Sequence, residues 1–148
     1  MYGFHPIKTV GHHETITKVV KSGSTVTKYD PVYLEDDTAD LAATGEPIFG
    51  VAMATVTGDG SLTIPILCGK DIVYEIDNDN DTNTHGDASY GGGKFFDITG
   101  TTGAVQIDTS SGTSSGQVVC VAEMTGTQED PTDTSVGQYK INSAESGY

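Results

Sequence analysis

The chain has 148 residues, a formal net charge of −14, 19 glycines, no tryptophan and no arginine. An acidic chain without guanidinium groups repels phosphates, so we expect no DNA or RNA binding. No apolar run approaches the roughly 20 residues that a membrane helix needs, and the first 15 residues lack the apolar stretch of a signal peptide. We therefore expect a single domain that neither enters a membrane nor is exported.

Charge is unevenly distributed along the chain. Residues 1–28 carry four lysines against one glutamate, whereas the rest of the chain is strongly acidic. Acidity of this kind commonly serves solubility. The basic segment is more informative, because it could lie on an acidic partner or on the acidic body of its own chain.

The first 13 residues have the composition of an extended arm. Glycines and a proline interrupt any regular element, although several side chains are apolar. A short segment of this kind cannot bury itself, so we expect residues 1–13 to be disordered or to lie on another surface.

The next part of the chain alternates as β-strands do. Residues 14–20 and 25–29 alternate around Ser22-Gly23-Ser24, which predicts a hairpin with two largely solvated strands. Residues 32–34 form a short predicted strand. The polar stretch 35–46 is predicted to be a connection with one helical turn at residues 39–43.

The clearest pattern lies in residues 47–67, PIFGVAMATVTGDGSLTIPIL. Large and small side chains alternate in the first half, which gives a strand with one bulky and one thin face. Gly58-Asp59-Gly60 tolerates the positive φ of a tight turn. We predict a central hairpin here, with Pro65 at an edge or a bulge because proline cannot donate to a ladder.

Five more strands are predicted, separated by polar loops. The strands are residues 71–76, 94–98, 104–108, 117–124 and 136–142, and the loops are 77–93, 110–116 and 125–135. About nine short strands predict an all-β fold, a small antiparallel β-barrel or sandwich with an extended N-terminal arm and long polar loops. We divide the chain into an arm (1–13), a β domain (14–142) and a tail (143–148).

An acidic loop and the histidines are the candidate metal ligands. Asp77, Asp79, Asp81 and Asp87 supply the oxygens that Ca²⁺ prefers, but the loop lacks the glycine and glutamate of an EF-hand, so an ordinary solvated loop is the simpler interpretation. The adjacent His12 and His13 point apart on an extended chain, which argues against zinc.

Nothing in the sequence indicates an enzyme or a cofactor. Nucleophile elbows and phosphate-binding glycine loops are absent, and a carboxylate pair chosen from so many acids carries no information. Cys68 and Cys120 fall in apolar runs, so buried free thiols are expected, and a disulfide requires that the two strands lie side by side.

Four segments together resemble the decoration (cement) proteins of tailed-phage capsids. They are DPVYLEDDTADLAATGEPIFGVAMATV, IPILCGKDIVYEID, GGKFFDITGTTGAVQIDTSS and VVCVAEM, and they span roughly residues 30 to 124. The strongest similarities are the PVYL and PIFGVA pair and the GKFFDITGTTGA turn followed by QID. These are strand and turn motifs, not binding signatures.

The resemblance implies a protein on the outer surface of the virion. Such a protein binds the expanded capsid, often as a homotrimer at three-fold and quasi-three-fold positions, and clamps neighbouring major capsid subunits against the pressure of packaged DNA. Its expected contacts come from the arm and the lysines after it: Tyr2, Phe4, Pro6, Ile7, Lys8, Lys18 and Lys21.

Two other functions fit the composition. One is a secreted or surface-displayed β-sandwich that binds carbohydrate, with Tyr33, Tyr74 and Tyr90 as stacking residues and calcium at residues 77–87. The chain has no tryptophan, which weakens this alternative. The other is a tail or fibre subunit, which would assemble with itself into rings or filaments.

Overall fold

The computed structural model describes residues 2–9, 11–79, 95–113, 116–122 and 136–142. These residues form β-strands and no helix, so the all-β prediction is confirmed. The strands are β1 (His5–Lys8), β2 (His13–Val19), β3 (Thr25–Val26), β4 (Pro31–Glu35), β5 (Thr38–Leu41), β6 (Gly50–Ala52), β7 (Val56–Thr57), β8 (Thr63–Gly69), β9 (Val73–Asp77), β10 (Phe95–Thr99), β11 (Gln106–Thr113), β12 (Val118–Ala122) and β13 (Val136–Ile141).

The larger sheet has six strands in the order β1-β9-β13-β12-β10-β11, with every neighbouring pair antiparallel. The sheet curls, because residues just after β9 contact β11 although the two strands are not neighbours in the sheet. Asn78 and Ile107 form a parallel bridge, and the Asp79 N–H donates to the Ile107 carbonyl (N···O 3.0 Å). β9 itself lies between β1 and β13, the first and last of the described strands.

The smaller sheet has five strands in the order β2-β8-β6-β4-β5, and β3 pairs with β7 in a separate ribbon. This sheet also curls, because its two edge strands touch at a parallel bridge between Val20 and Ala39. The architecture is sandwich-like, and the described strands do not close a barrel.

Two hydrophobic clusters fill the interior. The first includes most inward side chains of the six-stranded sheet, together with Val51 and Leu67 from the five-stranded sheet. The second lies on the opposite face of the five-stranded sheet and contains Ile64, Ile66 and Cys68. β8 therefore buries both of its faces, as a central strand does, and both sheets contribute to the first cluster.

The predicted hairpin over residues 14–29 is wrong in its pairing, although both strands exist. β2 pairs with β8 over seven positions from His13–Gly69 to Val19–Thr63, while β3 pairs with β7. Pairing with β8 places Ile16 opposite Ile66 and joins it to the second cluster. A local hairpin with β3 would leave that apolar contact unmade.

The predicted helical turn at residues 39–43 is also wrong. β4 and β5 form a hairpin that closes with Glu35 opposite Thr38. Asp36 and Asp37 occupy the turn with φ of 47° and 65°, the left-handed values that a two-residue type I′ turn requires. Aspartate tolerates this conformation better than most residues, so the Asp-Asp pair is the signal that indicates the hairpin.

The predicted hairpin over residues 47–67 is correct in its pairing and wrong in its connection. β6 pairs with β8 through Val51–Leu67 and Ala52–Ile66. The thin face does permit close approach, because a Cβ on Gly50 would lie 2.6 Å from the Leu67 carbonyl oxygen. The chain between them is not a tight turn, however, since it contains β7, which leaves to pair with β3.

The later strands fall close to their predicted positions. β9, β10 and β13 overlap the predictions closely, and β11 extends to Thr113 into a region predicted as a loop. The tail (143–148) and most of the loops 77–93 and 125–135 lie outside the described residues. Both cysteines are free and buried, as predicted, with Cys68 in the second cluster and Cys120 in the first.

Candidate interaction surface

The predicted arm folds on the acidic body of its own chain. Residues His5–Lys8 form β1 at the edge of the six-stranded sheet, with His5 opposite Glu75 and Lys8 opposite Val73. The ladder shifts register between Pro6 and Lys8. An edge position suits Pro6, because proline has no N–H to offer a second neighbour. Pro6 and Ile7 are half-buried, and Lys8 is exposed.

Phe4 is a core residue, which corrects its assignment as a contact residue. Its side chain is 0% exposed and its ring centroid lies 5.5 Å from that of Tyr74, with the planes tilted by 60°. A side chain without exposed surface cannot touch a partner. Burial of a phenylalanine stabilises a fold by about 1.5–3 kcal/mol, so Phe4 anchors the segment that carries the exposed residues.

Backbone contacts fix the segment on both sides of Phe4. The Gly3 N–H donates to the Val105 carbonyl (2.9 Å), and the Phe4 N–H donates to the Tyr29 carbonyl (2.7 Å). Gly3 has φ of 83°, and a Cβ there would lie 2.8 Å from the Tyr29 oxygen, so only glycine fits. Tyr2 is consequently held at the surface, where it is 52% exposed.

Four residues form a cluster at this surface, which we call the aromatic–basic cluster: Tyr2, His5, Lys28 and Tyr29. The His5 and Tyr29 rings lie 4.1 Å apart, and the Lys28 ammonium lies 4.9 Å from the Tyr29 ring centre. His5 Nε2 lies 2.8 Å from the Tyr2 carbonyl, which only accepts, so this nitrogen carries the hydrogen. Ring stacking and a cation over a ring are the contacts that hold such groups together.

A buried carboxylate holds the turn that presents this cluster. Asp30 is 1% exposed, and its oxygens accept hydrogen bonds from the Thr27 N–H (2.9 Å), the Thr102 hydroxyl (2.7 Å) and the Gly103 N–H (2.9 Å). Two of these donors belong to the turn before β11. Asp30 therefore ties the chain next to Tyr29 to the larger sheet.

Lys18 and Lys21, two other predicted contact residues, are paired within the chain. The Lys18 ammonium lies 2.5 Å from Asp37, and the Lys21 ammonium bonds Glu35 and lies 3.4 Å from Asp40. The hydrogen bond with Glu35 is the main cause that raises the pKa of Lys21. These ion pairs link β2 and the residue that follows it to the β4–β5 hairpin. The charge of each lysine is therefore largely neutralised by carboxylates of the same chain.

The sequence identified only Tyr2 of the aromatic–basic cluster as a contact residue. The sequence places Lys28 and Tyr29 in a predicted hairpin strand and His5 in the predicted arm. The missed signal is Lys-Tyr-Asp-Pro at residues 28–31, where an aromatic and a cation precede an aspartate that favours a turn. Tyr29 adopts φ of 76°, a turn conformation.

The proposed calcium ligands are only partly described. Asp77 lies in β9 and is 8% exposed, whereas Asp79 is exposed beyond the end of that strand. Asp81 and Asp87 lie outside the described residues. Among the residues that are described, no three His, Cys, Asp or Glu side chains are grouped so that they could hold a metal ion.

The tyrosines named for carbohydrate stacking do not form a platform in the described part of the chain. Tyr74 is fully buried, and Tyr33 is partly buried against the first hydrophobic cluster. Tyr90 lies outside the described residues. A stacking residue must expose its ring face, so Tyr74 cannot serve.

Comparison with known proteins gives no relative, because the chain matches no protein-family model and no curated protein. Within the described ranges, no helix is long and apolar enough to span a membrane.

Proposed function

We propose that this protein decorates the outer surface of an expanded tailed-phage capsid and clamps neighbouring major capsid subunits. The proposal is supported most by the aromatic–basic cluster, a surface group on a strongly acidic chain in which Tyr2 and Lys28 are exposed and His5 and Tyr29 are half-buried. Tyrosine and cationic side chains are frequent where interfaces concentrate their binding energy. The similarity of residues 30–124 to decoration proteins supplies the identity of the partner.

The fold suits a mechanical role of this kind. The cluster is carried by backbone bonds and by two buried side chains, Phe4 and Asp30, so little order must be gained on binding. Lys8 extends the positive charge along the exposed edge of β1. A capsid surface with carboxylates and apolar grooves would complement these groups.

The acidic remainder of the chain suits the outer side of a crowded particle. Many copies with a net charge of −14 would make decorated heads repel one another and stay dispersed. We propose that three copies act together on each site, because trivalent attachment multiplies a modest affinity per subunit. No catalytic step, cofactor or nucleic acid takes part in this function.

The burial of Phe4 determines how the proposal must be tested. Deletion of residues 1–13 would remove a core side chain and β1 together, so lost binding would not be informative. Substitutions of exposed cluster residues avoid this problem. Tyr2→Ser and Lys28→Glu change the surface without touching either hydrophobic cluster.

The experiment mixes purified protein with expanded, undecorated capsids and measures occupancy by co-sedimentation and cryo-electron microscopy. The wild type should saturate the capsids, and the Tyr2→Ser/Lys28→Glu variant should lose at least about tenfold in affinity, as expected from the loss of about 1.4 kcal/mol. Lys70→Glu is the matched control, since it makes the same charge change at an exposed residue outside the cluster. Equal saturation by all three proteins would exclude the aromatic–basic cluster as the capsid contact. No binding by the wild type would exclude capsid decoration as the function.

A further inference from the structure

One exposed turn joins an aspartate directly to a glycine. Asp59 and Gly60 lie between β7 and β8, and they are the only Asp-Gly pair in the sequence, which contains no Asn-Gly pair. An aspartate closes on itself most easily before glycine, because glycine has no side chain to keep its nitrogen away from the preceding carboxyl carbon. The chain therefore has one position at which this modification is chemically easiest.

The turn needs both residues of this pair. Gly60 has φ of 93°, a left-handed value that residues with a Cβ rarely adopt. Asp59 Oδ1 accepts from the Ser61 N–H (2.8 Å), the Ser61 hydroxyl (2.8 Å) and the Leu62 N–H (2.9 Å). A carboxylate that bonds the backbone just after itself is a common way to fix a turn. The geometry of the turn thus places the aspartate and the glycine in succession.

The modification is an intramolecular condensation followed by hydrolysis. The Gly60 nitrogen attacks Cγ of the protonated Asp59 carboxyl, so that a C–N bond forms, the C–OH bond breaks and one water leaves with the amide proton. Water then opens the five-membered imide. Attack of water at Cγ restores aspartate, whereas attack at the main-chain carbonyl carbon leaves the chain linked through the side chain, as isoaspartate.

The three hydrogen bonds to Oδ1 oppose the first of these steps. They hold the carboxyl group toward the donors of Ser61 and Leu62, so it must give up bonds before it can turn to the Gly60 nitrogen. They also lower the pKa of Asp59, with the Ser61 N–H as the largest cause. The carboxylate lacks the hydroxyl that must leave, so a lower pKa leaves less of the reactive acid at a given pH.

We propose that Asp59–Gly60 is the site of isoaspartate formation in this protein, and that the hydrogen bonds from Ser61 and Leu62 keep it largely unreacted while the chain is folded. The reaction needs no partner and no capsid, so it is independent of the function proposed above. Ser61 is then a protecting residue, because its hydroxyl supplies one of the three bonds that hold the carboxylate.

Isoaspartate would fit poorly between the neighbours of this turn. The Gly58 N–H donates to the Ser24 carbonyl (2.8 Å), and the Gly58 carbonyl accepts from the Gly23 N–H (3.0 Å). After the turn, the Leu62 carbonyl accepts from the Val20 N–H (2.8 Å). The modification inserts the Cβ carbon into the main chain between these fixed points. We therefore expect modified molecules to lose some of these bonds and to unfold at a lower denaturant concentration.

The experiment ages the full chain at physiological temperature and mildly acidic pH, folded in buffer and unfolded in guanidinium chloride. Isoaspartyl methyltransferase counts the modified residues, and electron-transfer fragmentation in a mass spectrometer locates them. The unfolded wild type should accumulate isoaspartate at residue 59 first, and the folded wild type should do so at least about tenfold more slowly.

Ser61→Ala removes the hydroxyl bond and should speed the reaction of the folded chain by at least about threefold. Ser22→Ala is the matched control, since it removes an exposed hydroxyl beside the same turn and leaves the bonds to Asp59 in place. It should age as the wild type does.

Isoaspartate that forms first at another position of the unfolded chain would overturn the assignment of the site. Equal rates for the folded and unfolded wild type would overturn the protection, and this comparison does not depend on the folding of any variant. A Ser61→Ala chain that ages no faster than Ser22→Ala would also contradict the role of Ser61.

Discussion

Replacing Asp30 by asparagine tests whether one buried carboxylate holds the two sheets together. Asparagine keeps the size of the side chain but turns one acceptor oxygen into a donor. At the Oδ2 position the new NH₂ group would face the Thr27 N–H, which would lose its acceptor. At the Oδ1 position it would face the Gly103 N–H, which would keep only its longer bond to Oδ2 (3.2 Å). Either orientation therefore removes or weakens a bond to a backbone donor of a turn.

The magnitude follows from the number and kind of bonds lost. A hydrogen bond to a charged group contributes about 1.5–3 kcal/mol, and an unsatisfied buried donor costs about 1–3 kcal/mol. Some relaxation of the Thr102 hydroxyl offsets part of this, because it can rotate to accept. We therefore expect Asp30→Asn to lower the free energy of unfolding by about 2–4 kcal/mol, which corresponds to a melting temperature lower by about 4–16 °C.

Urea denaturation followed by circular dichroism measures this change, and Asp59→Asn is the matched control. Asp59 also accepts three hydrogen bonds, from the Ser61 N–H, the Ser61 hydroxyl and the Leu62 N–H, but it is exposed and uses a single oxygen. Asparagine can keep that oxygen and turn its NH₂ group to water. Equal midpoints for the two variants would refute the argument that burial makes the Asp30 carboxylate important.

The further predictions concern two buried groups in the core, the Tyr74 hydroxyl and the Cys68 thiol. The Tyr74 hydroxyl is buried and has no hydrogen-bond partner among the described residues. Tyr74→Phe should therefore raise the free energy of unfolding by about 1 kcal/mol in the same urea assay. A loss of stability would contradict this prediction. Burial raises the pKa of the Cys68 thiol to about 12, so at pH 8 it should react with a disulfide reagent only on unfolding. Because the unfolded chain releases this proton near pH 9 and the folded chain does not, stability should fall as pH rises from about 9 toward 12, more for the wild type than for Cys68→Ala.

The strands were predictable from the sequence where one apolar face is continuous. Ile64 and Ile66 lie two residues apart on one buried face, separated by the half-buried Pro65, and the predicted strand is β8. The pairing of β2 was not predictable, because its partner lies about 50 residues away and competes with a nearby strand that has equal propensity. Sequence distance favours the local hairpin, whereas the contact between the partly buried Ile16 and the buried Ile66 favours pairing with β8.

The candidate surface was predictable only in part, for a similar reason. Tyr2 and Phe4 are both aromatic and two residues apart, yet one is exposed and the other buried. The difference comes from Gly3, whose close approach to Tyr29 sets the direction in which each ring leaves the backbone. That contact joins residues far apart in sequence, so composition alone could not show that Phe4 is the buried anchor and Tyr2 the exposed residue.

The position of β9 between β1 and β13 has a consequence for the order of synthesis. The five-stranded sheet uses only residues 13–69, so all of its strands are synthesised before β13. The six-stranded sheet instead needs both β1 and β13, because both are neighbours of β9. Translation thus makes the second hydrophobic cluster available early, while the sheet that carries β1 can be completed only after β13 has been synthesised.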